Sequence, residues 1–210
     1  MIDVDISEET ADRLHSILEG MGLAEEKVLK PALGRGLAAG KTAFNKQIKT
    51  VYNIEINRLS TRYAKFGYKN VSTEGDKIIG SITFSGGVIP LYKFEVSPTE
   101  AEYGKGRKTV KAAVMRDGGM GNIENGFIAE MDNEHIGVFE RKGTWKRKTR
   151  PTKEGRNTGN NEKIKELFGP SLSRMADNAV VLQTVEDRVN EVINQRIEHE
   201  IERLLSGNGG

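Results

Sequence analysis

The chain reads as an α+β protein in which an antiparallel sheet packs against a long N-terminal and a long C-terminal helix. Three observations support that class. Apolar residues recur at helical spacing over residues 24–52 and again over 179–205. Between them the pattern changes to short β-branched runs set off by glycine, as in KIIGSITF at 77–84. Gly169-Pro170 then separates the sheet region from the final helix, because proline fixes its own φ and pushes the preceding residue out of the α region. One domain over 1–210 is expected. It comprises a helical region 1–66, a sheet region 67–143, a flexible basic loop 144–163, and a corner with the terminal helix over 164–210.

The first helix opens at Ser7, the N-cap, with Glu8 and Glu9 in its first turn. Ala11, Leu14, Ile17 and Leu18 follow at helical spacing, and Gly20 with Gly22 ends it. The second helix, 24–52, meets Pro31 as a kink or restart and carries Val28, Leu29, Ala32, Leu33, Leu37, Phe44, Ile48 and Val51 as its apolar positions. Gly36, Gly40 and Ala43 share a related face, and small residues so spaced let another helix backbone come close. A shorter third helix is expected over 57–66, with Leu59, Tyr63 and Phe66 inward.

Beyond Gly67, residues 77–84 read as a strand, and Gly86-Gly87 as a turn. Residues 88–94 are apolar but interrupted by Pro90, which suits an edge or a connection. Another strand is expected over 108–115, a loop over 117–122, and a hairpin from 126–131 and 135–141 across Asp132-Asn133-Glu134. Residues 142–163 offer almost no apolar side chain beyond Trp145 to offset the entropy of ordering, so they read as a mobile loop. The last helix buries Leu182, Val185, Val189, Val192, Ile193, Ile197, Ile201 and Leu204. At 1.5 Å per residue it is roughly 40 Å long. That length calls for a partner, or for docking along the 24–52 helix. Asn208-Gly209-Gly210 is a frayed tail.

Composition narrows the function. With 210 residues the chain can form one domain or two small ones. Its 36% hydrophobic and 30% charged content points to a modular protein that completes its burial against partners. A net charge of +2 means the molecule as a whole is no polyelectrolyte. The absence of cysteine excludes disulfides, Cys-ligated zinc and thiol nucleophiles. The N-terminus is acidic and unlike a signal peptide, and no apolar run approaches the roughly 18 residues of a membrane span. A soluble protein made in a cytoplasm, with no membrane partner, is expected.

The candidate sites mostly resolve into structural roles. Gly40-Lys41-Thr42 ends like a phosphate-binding loop, but the glycine needed five residues earlier is Arg35, and a helix precedes it. Helix packing is the better reading there. His199-Glu200 is followed by Arg203 where a zinc helix needs its second histidine, so that face is solvated. His135, beside Glu134 and Asp132, fits a polar turn. Ser171 lacks both a nucleophile-elbow context and a base, which leaves it to cap the turn that follows. No catalytic residue, cofactor or metal site is expected. The cations Lys146, Arg147, Lys148 and Arg150, next to Trp145, can follow a phosphate backbone or an acidic partner, or remain a solvated insertion.

Several segments in order resemble the prophage minor tail protein Z family of tailed bacteriophages. They are Leu33-Gly34-Arg35 with Lys41-Thr42; Ile89-Pro90-Leu91 with Phe94; Gly126-Phe127-Ile128-Ala129-Glu130-Met131; Gly137-Val138-Phe139-Glu140-Arg141-Lys142-Gly143; and Ile164-Lys165-Glu166-Leu167-Phe168-Gly169-Pro170-Ser171. The resemblance covers most of the chain from residue 24 onward. Residues Thr144 to Lys163 are inserted relative to the family pattern, and Glu162-Lys163 replaces its apolar Leu-Pro. The resemblance implies a non-enzymatic structural protein, similar to tail-completion and head–tail connector proteins that form rings around the DNA channel. It would be made in the bacterial host cytoplasm and reside in the virion tail, with tail-tube and connector proteins as partners and DNA in the lumen as a further contact. Gly137, Phe139, Arg141, Phe168, Gly169, Pro170 and Ser171 would be its structural motif residues. The alternative reading is a nucleic-acid-binding module using the basic loop 142–163. A nucleotide hydrolase at Gly40-Lys41-Thr42 is the remaining rival.

Overall fold

A computed structural model describes residues 12, 15–16, 19, 26–55, 59–60, 62–63, 69–74, 77–102, 107–131, 133–145 and 161–206. The fold is mixed α+β, with a long helix towards each end of the chain and antiparallel strands between. Helix α1 is Glu26–Val51, the short α2 is Leu172–Ala176 and α3 is Ala179–Leu205. The strands are β1 (Lys69–Glu74), β2 (Lys77–Ile82), β3 (Val88–Pro90), β4 (Glu95–Ser97), β5 (Lys111–Ala113), β6 (Gly121–Asn122), β7 (Gly126–Glu130), β8 (Ile136–Trp145), β9 (Asn161–Glu166) and β10 (Phe168–Ser171). They do not form the single sheet expected. Among the described residues they make two-stranded β1-β2 and β10-β3 ladders and three-stranded β4-β5-β6 and β7-β8-β9 sheets.

The chain divides into two compact units, one of Met1–Thr50, Ile56–Gly87 and Ser171–Gly210, the other of Val51–Glu55 and Val88–Pro170. In the first unit α1 and α3 run antiparallel. A Cβ built on Gly36 would lie 2.4 Å from Ile193 Cγ1, and one on Gly40 would lie 2.4 Å from Val189 Cγ2. Both helices bury every fourth residue: Val28, Ala32, Gly36, Gly40, Phe44 and Ile48 on α1; Val181, Val185, Val189, Ile193, Ile197 and Ile201 on α3. Residues four apart form the ridges that interlock in helix packing, and glycine at two ridge positions brings the backbones close. The small-residue face and the docking of the last helix along it are as expected. The buried stripe of α3 starts at Val181, whereas Leu182 and Val192 are half-buried.

Helix α1 runs through Pro31 as one helix without a restart, forgoing one backbone hydrogen bond to the turn before it. Its second apolar row, Leu33 and Leu37, meets β2 at Gly80, whose Cβ would stand 3.4 and 3.2 Å from their methyl groups. Strand β1 (KNVSTE) pairs with β2 from Lys69↔Ile82 to Glu74↔Lys77. Phe44 of α1 stacks on Phe84 with ring centroids 4.0 Å apart. Asp12, His15, Ser16 and Glu19 are helical, consistent with a first helix, while its Ser7 cap and glycine stop lie outside the described residues, as does the tail 208–210. Of the expected third helix, Leu59-Ser60 and Arg62-Tyr63 form a bend and turn instead, with Tyr63 N–H donating to Ser60 O at 3.0 Å. The rest of 57–66 lies outside the described residues.

In the second unit Pro90 ends the three-residue β3, and a 3-10 turn at Leu91–Lys93 leads into β4, so 88–94 is a connection rather than one strand. The 108–115 expectation narrows to β5, with Met115 bridging Tyr52. Gly121-Asn122, expected as loop, adds a short third strand. The β7–β8 hairpin forms as expected, Ile128 opposite Val138, with Glu134 in the left-handed region at φ 62° in its turn. Residues 142–145 and 161–163 are not loop: β8 and β9 continue through them in antiparallel pairing, because a backbone ladder needs no apolar side chain. Gly143, at φ 99°, sits where their register shifts between Arg141 and Thr144, a conformation that favours glycine.

Candidate functional site

The residues singled out in Gly137-Val138-Phe139-Glu140-Arg141 and Phe168-Gly169-Pro170 meet in the second unit. The joint is Leu167, between β9 and β10. Its N–H donates to Val138 O at 2.8 Å, and its carbonyl accepts from Leu91 N–H at 2.9 Å. One backbone residue thus links β8 to the end of β3.

Around this joint most motif residues have a packing role, while Phe168 stays exposed. Val138 is 0% and Phe139 5% exposed, so both anchor the core of the sheet. A Cβ on Gly137 would stand 2.9 Å from Glu166 Oε1 and 3.0 Å from the Phe139 ring. Glycine there leaves room for the Glu166 carboxylate, which meets His135 Nε2 at 2.7 Å. His135 therefore belongs to a pair bridging the hairpin end to β9. Arg141 lays its guanidinium 4.3 Å from the centroid of Phe127, a cation–π distance.

Gly169-Pro170 is not a corner into the helix. Both residues lie in β10, paired with β3, where the fixed φ of proline is compatible with an edge position. Glycine at 169 is required by Phe94: a Cβ there would lie 2.4 Å from Phe94 Cε2 and 2.8 Å from Cζ. The turn into helix falls after Ser171, whose Oγ accepts from Arg174 N–H at 3.3 Å and caps α2, as expected. Asn178 does the same for α3, its Oδ1 accepting from Val180 N–H at 3.1 Å and Val181 N–H at 3.4 Å. The Asn178 cap was readable, an Asn just before a periodic apolar run, and was missed.

Large apolar side chains remain exposed on three strands of this unit: Val88 on β3 at 54%, Ile164 on β9 at 44% and Phe168 on β10 at 44%. Among the described residues strand β9 pairs with β8 alone, and its other edge, with Lys163 and Lys165 exposed on the strand, has no partner strand there.

The other sequence candidates fall elsewhere. Lys146, Arg147, Lys148 and Arg150 lie outside the described residues, and so does the side chain of Trp145. Gly34 to Thr42 sits inside α1, so its amides are held in helix and do not form a phosphate-cradling loop. His199 is exposed on α3. A cleft of about 330 Å³ in the first unit is lined by Phe44, Phe84, Leu182 and Val185, with Ser173 and Asp177 among its polar groups. Among the described residues the conspicuous cations not foreseen as a site line the seam between α1 and α3.

Compared with protein families, curated proteins and solved structures, the chain gives no match in any of the three.

Proposed function

We propose that the chain is a structural subunit of a bacteriophage or prophage tail, acting in tail completion or head–tail joining. It is a non-enzymatic protein that assembles with copies of itself as a ring and contacts tail-tube and connector proteins. It is made in the host cytoplasm and ends in the virion tail.

The reading rests on the resemblance to the minor tail protein Z family. The observation that carries it is the Leu167 joint. Motif segments far apart in sequence meet through two backbone hydrogen bonds, and Gly137 and Gly169 are each demanded by a neighbouring side chain. A motif held by packing rather than by a reacting group suits an assembly protein. The exposed Val88, Ile164 and Phe168 supply apolar surface for subunit contacts, and the open β9 edge can accept a neighbour's strand. Heterologous contacts of this kind close into rings when the rotation between copies closes.

Mass spectrometry and electron microscopy of purified tails from a lysogen carrying this gene test the proposal. The subunit should be present in the particles, and deleting it should leave tails unjoined or incomplete. Its absence from purified tails, with normal particles after deletion, would reject the reading.

A further inference from the structure

Two stripes of positive charge face each other along the seam of α1 and α3. The first hollow in the seam is bounded by Lys27 and Arg35 of α1 and by Arg196, Arg203 and Glu200 of α3. The next, of about 480 Å³, has Arg35, Arg188 and Arg196, and the third has Lys46 and Arg188. Arg35 and Arg196 are shared by the first two hollows and Arg188 by the last two, so the three form one groove. From Lys27 to Lys46 it follows α1 for roughly 28 Å at 1.5 Å per residue.

Carboxylates offset only part of this charge. Glu191 meets Arg188 at 2.7 Å and Glu200 meets Arg203 at 2.8 Å. Lys27, Arg35, Lys46 and Arg196 are exposed and form no ion pair among the described residues. Arg35 and Arg196 stand on opposite walls of one hollow and repel each other, a repulsion that Glu200 in the same hollow and the surrounding water reduce. A linear polyanion seated between them would convert that repulsion into attraction.

We propose that this groove binds the phosphate backbone of double-stranded DNA without sequence preference. Three features favour a duplex over other polyanions. The charge runs lengthwise along the helix pair, in keeping with a ligand that carries one negative charge per roughly 1.7 Å of axis. On the α1 wall the residues between Arg35 and Lys46 include the small Ala38, Ala39, Thr42 and Ala43, so a phosphate strand can approach that wall closely, while Val192, Gln195 and His199 line the α3 wall. Among the described residues the walls carry guanidinium forks suited to phosphate but no Phe, Tyr or Trp on which unpaired bases would stack. This inference uses the helix pair alone and holds whether or not the chain is a tail subunit.

Fluorescence anisotropy of a labelled mixed-sequence duplex with the full chain, at rising salt, is the test. If Lys27, Arg35, Lys46 and Arg196 each neutralise one phosphate, log affinity falls with log salt at a slope near −3.6, about a hundredfold loss between 50 and 200 mM. Replacing Arg35 and Arg196 by Ala should weaken binding at least about tenfold at low salt and reduce the slope by about 2. The Arg35→Lys/Arg196→Lys variant should retain the slope, which separates lost charge from lost fold. Lack of duplex binding overturns the proposal, as does an acidic peptide that binds where duplex does not. Loss of binding on replacing Lys146, Arg147, Lys148 and Arg150, with the groove variant unaffected, would also overturn it.

Discussion

Gly34 and Gly36 of α1 give a paired test of how the two long helices pack. A Cβ at Gly34 meets nothing within 4 Å, whereas one at Gly36 would lie 2.4 Å from Ile193 Cγ1, 2.9 Å from its Cδ1 and 3.2 Å from the Val189 carbonyl oxygen. Alanine is favoured over glycine inside a helix by about 1 kcal/mol. Gly34→Ala should therefore stabilise by about 0.5–1 kcal/mol. At Gly36 the same gain is set against overpacking, which costs about 1–3 kcal/mol, because the opposing carbonyl is backbone and cannot swing aside. The net is a loss of up to about 2 kcal/mol, and for a chain of this size each kcal/mol moves Tm by about 2–4 °C. Urea and thermal unfolding followed by circular dichroism would give both numbers. Replacing Ile193 by Ala should cost less in the Gly36→Ala background than in the wild type, since the two positions compete for one space. Equal stabilisation by the two glycine substitutions, or simple additivity with Ile193→Ala, would refute this packing.

Three further expectations concern separate parts of the molecule. Gly169→Val should lower the stability of the second unit by about 1–3 kcal/mol by driving a side chain into the Phe94 ring, read as faster hydrogen exchange at Val138 and Leu167; unchanged exchange would argue against the joint. Asn178→Ala should cost about 1 kcal/mol by leaving the first amides of α3 without their cap, and Asn178→Asp should restore it. The hydrogen bond and charge of Arg188, aided by Gln195 and partly opposed by burial, hold the Glu191 carboxyl below the usual glutamate range. A lowered folded-state pKa contributes stability above the unfolded value that is lost as pH falls through the folded one. Carboxyl NMR should show Glu191 titrating low, and Arg188→Ala should return it upward; an unmoved titration would dismiss the pairing.

Much of the helical part was readable because both long helices declare themselves locally. Their apolar periodicity, the small-residue face of α1 and the cap at Ser171 each depend on residues close in sequence. The strands were harder. KNVSTE and NEKIKE hardly look like strands, and both pair through backbone ladders to partners the side-chain pattern does not name. Gly169-Pro170 carried a breaker signal that fits an edge strand as well as a corner, and only the Phe94 ring explains why glycine is there. Lys146, Arg147, Lys148 and Arg150 stand out because they are close together in sequence. Arg35 and Arg196, more than a hundred and fifty residues apart, become one feature only once the helices lie side by side.

Under the proposed function this chain works by assembling. Light scattering coupled to size-exclusion chromatography, on the full chain alone and mixed with tail-tube and connector proteins, addresses it most directly. A ring-forming tail subunit should give a closed oligomer of defined mass that Phe168→Glu disperses while leaving each subunit folded. A chain that stays monomeric at every concentration, alone and with those partners, would contradict it.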